Sequence, residues 1–421
     1  MMNGDVLVYG GLGDPNYSVV RLYEELLLTS KAKFSIIAID PIVRRVSTTE
    51  VGSYYQFPYD EQYASLDEYI EHQPVRKISC VFVLTSVSTH LSILKEVSLS
   101  FDVSDLLFVV EKPSFSLHEV EEGFSVVVPR LKQQGAKFYF IDTAIVTPAF
   151  DYFFSNQSCV SLGLPEKIVA ISTDNPVTIH PQLDEFSFEN RIAALNSRNL
   201  LNLEESGGGG YGFDMGIHAI AGLVRYLQKM QEFDARIDFS EIKTEYLNNK
   251  QLKRSIGAET HIYALGSIVT SIGHIELLVD AGKASDIWDR RLELHYAQLT
   301  VVIGFGTLKH PPYLWRSDHA DSEAVVFNVT DSGYKLHFND ILSALEFDIN
   351  ASLSCEASEE IMCKSMYIMS DLFSGLSTLF DEREKPLIRV DHHSYTMAMK
   401  EQLIRERLTN FTDSIALNIH K

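Results

Sequence analysis

Short runs of apolar residues alternate with amphipathic stretches over about the first 145 residues of the chain. Apolar runs without polar alternation are typical of strands buried on both faces, and apolar residues at helical spacing indicate helices. Because strand and helix alternate, right-handed crossovers predict a doubly wound parallel sheet. The predicted strands are Val6–Tyr9, Phe34–Ile39, Ile78–Leu84, Leu106–Val110 and Lys137–Ile141, and the predicted helices are Asn16–Leu28, His90–Ser98 and Leu117–Gln133.

The pattern changes after about Pro148, where longer apolar runs alternate with polar residues and follow one another without intervening helices. Such half-buried runs are typical of a mainly antiparallel sheet with one covered face. We therefore predict two domains, an α/β domain at residues 1–145 and an α+β domain at residues 146–421. The second contains the predicted strands Lys167–Ser172, Ile237–Tyr246, His261–Ser271, His274–Asp280, Leu292–Ile303 and Ala324–Val329, and the predicted helices Phe213–Gln231, Ser358–Phe380 and His393–Asn418.

Composition excludes several classes of protein. The chain has 421 residues, of which 45% are hydrophobic, so it has enough material for large folded cores. A net charge of −21 disfavours nucleic acid and anionic membranes as partners. Four scattered cysteines without Cys-x-x-Cys spacing, and histidines without metal-ligand spacing, predict neither a disulfide framework nor a metal site. With no secretory leader and no long apolar run, we expect a cytoplasmic protein.

The first predicted strand is followed by a glycine cluster, Gly10-Gly11-Leu12-Gly13. Glycines between a strand and a helix allow a dinucleotide pyrophosphate to approach the amides at the helix N-terminus. Taking Gly11 and Gly13 as the first two glycines of G-x-G-x-x-G places Asn16 where the third should be. A tight turn without any ligand is the alternative interpretation.

Asp40 ends the second predicted strand. A carboxylate at this position can accept hydrogen bonds from the adenosine ribose and disfavours a 2′-phosphate, so it favours NAD. Arg44 and Arg45 follow on the same loop and could accommodate a phosphate, which keeps NADP open as the alternative.

Glu111-Lys112-Pro113 follows the predicted strand that ends at Val110. A lysine at the carboxyl edge of a parallel strand lies where ligands bind in doubly wound sheets, and the proline restricts the local backbone. The same tripeptide also suits an ordinary surface turn.

A second glycine cluster, residues 207–210, precedes a predicted helix that contains Asp214 and His218. Their i, i+4 spacing places both side chains on one helical face, where they could orient a substrate hydroxyl and accept its proton. Glycine-rich backbone also permits close approach of a substrate. The alternative is a flexible loop followed by a capping Asp and a core His.

These segments together resemble the Gfo/Idh/MocA family of nicotinamide-dependent oxidoreductases over residues 4–230. Glu111-Lys112-Pro113 and the Gly-rich…Asp214-x-Gly-x-His218 segment match the family's two distinctive motifs in order and spacing, and Thr85 to His90 is similar to a third. In the family, the lysine contacts nicotinamide and substrate, the aspartate holds a substrate hydroxyl, and the histidine is the proposed acid/base. The resemblance therefore implies these catalytic roles for Lys112, Asp214 and His218.

The resemblance also implies a dinucleotide-binding first domain, a second domain for substrate binding and oligomerisation, and a homo-oligomer, either dimer or tetramer. The residues expected to contact NAD, or alternatively NADP, are Gly10, Gly11, Leu12, Gly13, Asp40, Thr85, Ser86, His90, Glu111 and Lys112. The chain departs from the family in lacking an arginine shortly before Pro148 and in the length of its second domain, where Lys309–Ser322 is expected to be an inserted loop.

The expected function is hydride transfer between a nicotinamide and a hydroxyl or ketone carbon of a sugar, cyclitol or related small molecule. His218 would take the hydroxyl proton, and Lys112 would stabilise the developing oxyanion. Two alternatives remain: a glycoside hydrolase or lyase that oxidises its substrate transiently, and a non-catalytic ligand sensor with the same fold.

Overall fold

The computed structural model describes residues 4–12, 19–46, 57–73, 76–156, 161–174, 192–193, 195–196, 200–247, 253, 258–283, 289–306, 311–318, 322–328, 333–375 and 380–383. Within them, two sheets confirm the predicted architecture, one parallel and one mainly antiparallel. No described helix combines the length and apolar character needed to cross a membrane. The predicted helix His393–Asn418 lies outside these residues.

The first sheet has six parallel strands in the order β3-β2-β1-β4-β5-β6, which is the doubly wound order with a reversal between β1 and β4. Four strands are apolar and buried along nearly their whole length, as predicted. The third strand is only three residues long and carries polar side chains, so no hydrophobic pattern indicated it. The strands are β1 Asp5–Tyr9, β2 Ser35–Ile39, β3 Glu61–Tyr63, β4 Ile78–Val83, β5 Leu107–Val110 and β6 Lys137–Phe140.

Helices connect these strands. The helix His90–Ser100 begins at the predicted residue, whereas the helices Val43–Val46 and Leu66–His72 were not predicted. The predicted helix Leu117–Gln133 is divided into a 3-10 turn at Leu117–Glu119, a π-helical stretch at Glu122–Val127 and an α-helix. The α-helices are α1 Glu24–Ser30, which follows a 3-10 turn at Val19–Tyr23, α2 Val43–Val46, α3 Leu66–His72, α4 His90–Ser100 and α5 Val128–Gln133.

The second sheet has nine strands in the order β14-β13-β12-β11-β7-β10-β9-β8-β15. Its pairs are antiparallel except β7 with β10 and β8 with β15. The predicted strand Leu292–Ile303 is two strands joined by a tight turn, and the expected loop Lys309–Ser322 contains a strand. The strands are β7 Lys167–Thr173, β8 Arg236–Leu247, β9 His261–Val269, β10 His274–Gly282, β11 Asp289–Tyr296, β12 Leu299–Gly304, β13 Tyr313–Asp318, β14 Ser322–Val326 and β15 Phe380–Arg383.

The longer α-helices that the structure describes after residue 145 are α6 Pro148–Ser155, α7 Tyr211–Lys229, α8 Gly333–Ala344 and α9 Cys355–Ser374. The long helix α7 is buried along most of its length because it packs on β7 and β10 of the second sheet and against α9. This packing fixes the N-terminal turns of α7 next to the first sheet, where the site described below lies.

Helix α8 returns to the first sheet. Phe338 and Ile341 pack in one core cluster with Tyr23 and with Val8 of β1. Helix α9 packs against β6, and Ser358 Oγ accepts a hydrogen bond of 3.2 Å from the amide of Phe140. Residues beyond the predicted boundary at 145 therefore complete the core of the doubly wound domain.

Candidate active site

One carboxylate, that of Asp214, is held by two buried lysines. Lys112 Nζ lies 2.6 Å from Asp214 Oδ1 and donates a second bond of 3.0 Å to its backbone carbonyl. Lys283 Nζ lies 2.7 Å from Asp214 Oδ2, and its side chain is 5% exposed. Lys112 follows β5 as predicted, and its peptide bond to Pro113 is cis. The structure therefore joins the two sequence motifs and adds a second lysine that they do not contain.

Lys283 reaches this position through the register of the second sheet. Gly282, the last residue of β10, pairs with Thr173 at the end of β7, and the Lys283 amide donates to the Thr260 carbonyl. The Lys283 ammonium also lies 5.2 Å from the centroid of the Tyr211 ring, in the first turn of α7.

His218 is paired with Asp142, which follows β6. The Nδ1 atom of His218 lies 2.8 Å from Asp142 Oδ1, and both side chains are almost completely buried. Pairing with His218 holds the pKa of Asp142 below its usual value against the effect of burial, so Asp142 is an anion that accepts a hydrogen bond from Nδ1–H. That tautomer leaves a lone pair on Nε2, which is buried and has no partner among the described residues.

Burial, followed by the charge of Arg290, lowers the pKa of His218 to about 3, even though Asp142 opposes the shift. His218 is therefore neutral at physiological pH. A neutral imidazole with a fixed Nδ1–H and an open Nε2 is the form required of a general base.

A network of hydrogen-bonded, buried side chains holds the backbone at Asp142. His337 on α8 donates from Nε2 to the Asp142 carbonyl oxygen at 2.7 Å. Tyr139 Oη lies 2.7 Å from His337 Nδ1 and donates to Asp340 Oδ2 at 2.7 Å. The segment that carries Asp142 is thus tied to α8, which restricts the position of the His218 ring.

The Arg290 side chain extends from β11 to the segment that carries Asp142. Its Nη1 donates to Thr143 Oγ1 at 3.2 Å, next to Asp142 in the chain. The expected family arginine before Pro148 is absent from this chain, and Arg290 brings a guanidinium to that segment from the second sheet. Its charge is the second largest cause of the low pKa of His218.

Glu111 is the third carboxyl group of the site. It is buried, it accepts a hydrogen bond from Tyr23 Oη, and burial raises its pKa to about 7 despite the nearby charge of Lys112. Glu111 therefore changes its protonation state in the physiological range.

The glycines at residues 207–210 are required for contacts within the protein. Gly207 has φ +75°, and its carbonyl accepts a 2.7 Å bond from the Leu117 amide. Gly210 lies directly against the backbone of Glu259, whose carboxylate accepts bonds from the amides of Gly210 and Phe213 at 2.6 and 3.0 Å. The close approach attributed to a substrate is, at these two glycines, an approach of other parts of the chain.

The predicted pyrophosphate turn is described only in part, because Gly13 lies outside the described residues. Gly10 has φ +73°, and a Cβ there would lie 2.9 Å from the Leu84 carbonyl oxygen. The Gly11 carbonyl accepts a 2.5 Å bond from Tyr59 Oη. The Leu12 amide donates to Asp40 Oδ2 at 3.1 Å.

The Asp40 carboxylate is hydrogen-bonded to backbone amides. Its two oxygens accept from the amides of Leu12 and Ile42, at 3.1 and 3.0 Å, and only 5% of the residue is exposed. Burial raises its pKa. Arg44 is exposed on α2, immediately after it, and the side chain of Arg45 lies outside the described part of the chain.

The remaining predicted cofactor contacts lie after β4. Thr85 Oγ1 accepts a 2.7 Å bond from Thr89, and Ser86 is exposed. His90 is buried, with Nδ1 3.1 Å from the Ser114 carbonyl and Nε2 3.0 Å from the Thr85 carbonyl. His90 thus links the end of β4 to the segment after Lys112, and its contact with a cofactor stays a prediction.

Sequence reasoning missed Asp142, Lys283 and Arg290. Asp142 had a usable signal, since it is a polar residue directly after a buried parallel strand, as Lys112 is. Lys283 and Arg290 follow and begin antiparallel strands, and only the register of the second sheet brings them to the edge of the first.

No protein-family model matches the chain, and the search of curated proteins finds no match. Solved structures match it in fold. KijD10, a 3-ketoreductase from Actinomadura kijaniata in complex with NADP and TDP-benzene, has a TM-score of 0.59 and 13% identity, over 90% of this chain and 98% of KijD10. UDP-N-acetylglucosamine 3-dehydrogenase GnnA from Acidithiobacillus ferrooxidans has a TM-score of 0.52 and 12% identity, over 88% and 97% of the two chains. At this identity the likeness shows a shared two-domain fold.

Proposed function

We propose that this protein is a nicotinamide-dependent oxidoreductase acting on a sugar or related polyhydroxylated small molecule. The observation that carries the proposal is the orientation of His218, whose Nδ1 is fixed by Asp142 and whose buried Nε2 has no partner within the described chain. A buried polar atom without a partner requires an explanation, and a substrate hydroxyl provides one. The resemblance to the Gfo/Idh/MocA family and the fold shared with two sugar-modifying oxidoreductases support the same assignment.

In the oxidative direction, His218 Nε2 accepts the proton of the substrate hydroxyl. Asp142 stabilises the imidazolium that forms and keeps the ring in the correct tautomer. The ammonium of Lys112 lies at the carboxyl edge of β5, where it stabilises negative charge on the reacting oxygen. Asp214, held by Lys112 and Lys283, is placed to orient a neighbouring hydroxyl.

The residues at the reversal of the first sheet fit a dinucleotide. The carboxyl ends of β1, β4 and β5 meet at one edge, which is where doubly wound folds bind such ligands, and Gly10 permits the close backbone turn after β1. The bound dinucleotide supplies or accepts the hydride. Gly10, Gly11 and Leu12 would hold it, with Lys112 near its reacting ring.

NADP is the proposed cofactor. The sequence favours NAD through Asp40, but that carboxylate already accepts two amide hydrogen bonds and is buried. The exposed Arg44 beside it suits a 2′-phosphate. KijD10, which shares the fold, is in complex with NADP. The homo-oligomer and the cytoplasmic location expected from the sequence stay predictions.

A substrate screen tests the proposal. Sugars, cyclitols and nucleotide sugars are incubated with NADP, and their 3-keto forms with NADPH, while the dinucleotide absorbance is followed. We expect at least one substrate to change the absorbance with the unmodified protein, and His218→Asn to lose that activity. Product formation without net absorbance change would instead indicate the transient-oxidation hydrolase or lyase. A protein that binds these ligands without turning any over would indicate the sensor.

A further inference from the structure

Arg290 is a cation without a carboxylate partner in the described part of the chain. The residue is half-buried, and its described hydrogen bond goes from Nη1 to the neutral hydroxyl of Thr143. Its Nε is buried and makes no hydrogen bond to any residue that the structure describes. A partly desolvated guanidinium without a counter-ion is costly, so this position requires an explanation other than stability.

The neighbouring carboxylates are already engaged. Asp214 forms ion pairs with Lys112 and Lys283, and Asp142 accepts a hydrogen bond from the neutral His218. The chain as a whole carries a net charge of −21, yet this site contains three cations, Lys112, Lys283 and Arg290, and Arg290 forms no ion pair with a described carboxylate. Within the described residues, the charge of Arg290 is therefore not balanced by an ion pair.

A second unpartnered polar group lies beside Arg290. In the antiparallel pair of β11 with β7, Arg290 is directly opposite Ser172, so their side chains lie on the same face of the sheet. Ser172 is completely buried, and its hydroxyl has no hydrogen-bond partner among the described ranges of the chain. A guanidinium and a hydroxyl donor side by side form a small site for anionic oxygens.

We propose that Arg290, assisted by Ser172, binds an anionic group of the substrate, either a carboxylate or a phosphoryl group. The inference rests on the proposed function for the nature of the ligand, and it narrows the substrate to a negatively charged sugar. Since Arg290 donates to Thr143, next to the Asp142 that holds His218, the anionic group binds close to the hydroxyl that His218 deprotonates. Arg290 is thus a specificity-determining residue, and bound substrate supplies the missing counter-ion.

Ligand titrations without dinucleotide test this inference. The probes are glucuronate for a sugar carboxylate, glucose 6-phosphate and inorganic phosphate for a phosphoryl group, and glucose as the neutral reference. Binding is measured by calorimetry at constant ionic strength for the unmodified protein, Arg290→Gln and Arg290→Lys. Arg236→Gln is the matched control, because Arg236 is 74% exposed on β8.

We expect one class of anion to bind the unmodified protein and Arg236→Gln about tenfold or more tightly than glucose. In Arg290→Gln, the affinities for this anion and for glucose should differ by no more than about twofold. Arg290→Lys should retain part of the difference, because lysine keeps the charge without the planar guanidinium. Which anion binds identifies the source as carboxylate or phosphoryl. The inference is overturned if neither anion exceeds glucose, or if the preference persists in Arg290→Gln. A separate NADP titration of the same preparation judges the proposed function independently.

Discussion

His218 Nδ1 lies 2.8 Å from Asp142 Oδ1, although Asp214 is one turn earlier on the same helix as His218. The two carboxylates therefore have different partners. Asp142 fixes the imidazole, whereas Asp214 binds the lysines Lys112 and Lys283. The i, i+4 spacing of Asp214 and His218 identifies the helix of the site, but the hydrogen-bond partner of His218 comes from the segment after β6 of the first sheet.

Asp142→Asn tests this pairing. An amide can donate to Nδ1 and so favour the tautomer that carries its proton on Nε2, which removes the acceptor. We expect kcat to fall by about 10²–10⁴-fold with little change in dinucleotide affinity. Asp151→Asn is the control, because Asp151 is exposed and pairs with Lys229. Equal kcat values for Asp142→Asn and the unmodified enzyme would exclude the dyad.

Glu111→Gln should change how stability depends on pH. The folded protein keeps the Glu111 proton up to about pH 7, whereas the unfolded chain releases it near the ordinary value of 4.5. The folded state thus binds more protons between these values, and the free energy of unfolding falls as pH rises through this window. As pH rises through this window, the free energy of unfolding of the unmodified protein should fall by about 2–3 kcal/mol more than that of Glu111→Gln.

Urea unfolding of both proteins at several pH values between about 4.5 and 7.5 measures this difference. Glu122→Gln serves as the control, since Glu122 is exposed and pairs with Lys95 on the surface. Parallel stability curves for Glu111→Gln and the unmodified protein would show that Glu111 titrates normally.

Lys283→Met removes one of the two cations that hold Asp214 while preserving much of the side-chain volume. We expect kcat/KM to fall by about 10–100-fold, because small displacements of a positioning group are costly. Lys283→Arg should recover part of the loss. The control is Lys243→Met, whose lysine forms an exposed ion pair with Glu241. If Lys283→Met and Lys243→Met have the same kcat/KM, Lys283 has no role in positioning Asp214.

Arg44→Ala tests the choice of cofactor. If the exposed guanidinium contacts the 2′-phosphate, calorimetry should show that the unmodified protein binds NADP more tightly than NAD. The substitution should lower the ratio of these two affinities by about tenfold. NAD affinity should change little. Tighter NAD binding by the unmodified protein would restore the original interpretation of Asp40.

The sequence was informative where function depends on local order along the chain. Lys112 follows a buried strand, and Asp214 and His218 share a helix, so strand and helix periodicity placed all three correctly. Helix α8 was not predicted, although Phe338, Ile341, Leu342 and Leu345 have the i, i+3, i+4, i+7 spacing of a helix and pack together against the first sheet. The prediction of a loop at Lys309–Ser322 was wrong, because the pairing of β13 with β12, which the sequence pattern does not show, makes this segment a strand.

Lys283 and Arg290 show the limit of local reasoning most clearly. Each is a cation near a strand end, Arg290 within an Arg-Arg doublet, and such residues are usually solvated. Their burial results from strand register and from the packing of α7 between the sheet and the site, which depend on contacts far apart in sequence. No single-sequence pattern encodes that geometry.

A crystal structure of the protein grown with NADP is the most direct test of the central claim. The account predicts NADP at the carboxyl edge of β1, β4 and β5, its pyrophosphate against the turn at Gly10, and its nicotinamide between Lys112 and His218. Dinucleotide bound elsewhere, or crystals without bound NADP at a concentration that saturates nicotinamide-dependent enzymes, would contradict the assignment of this site to hydride transfer.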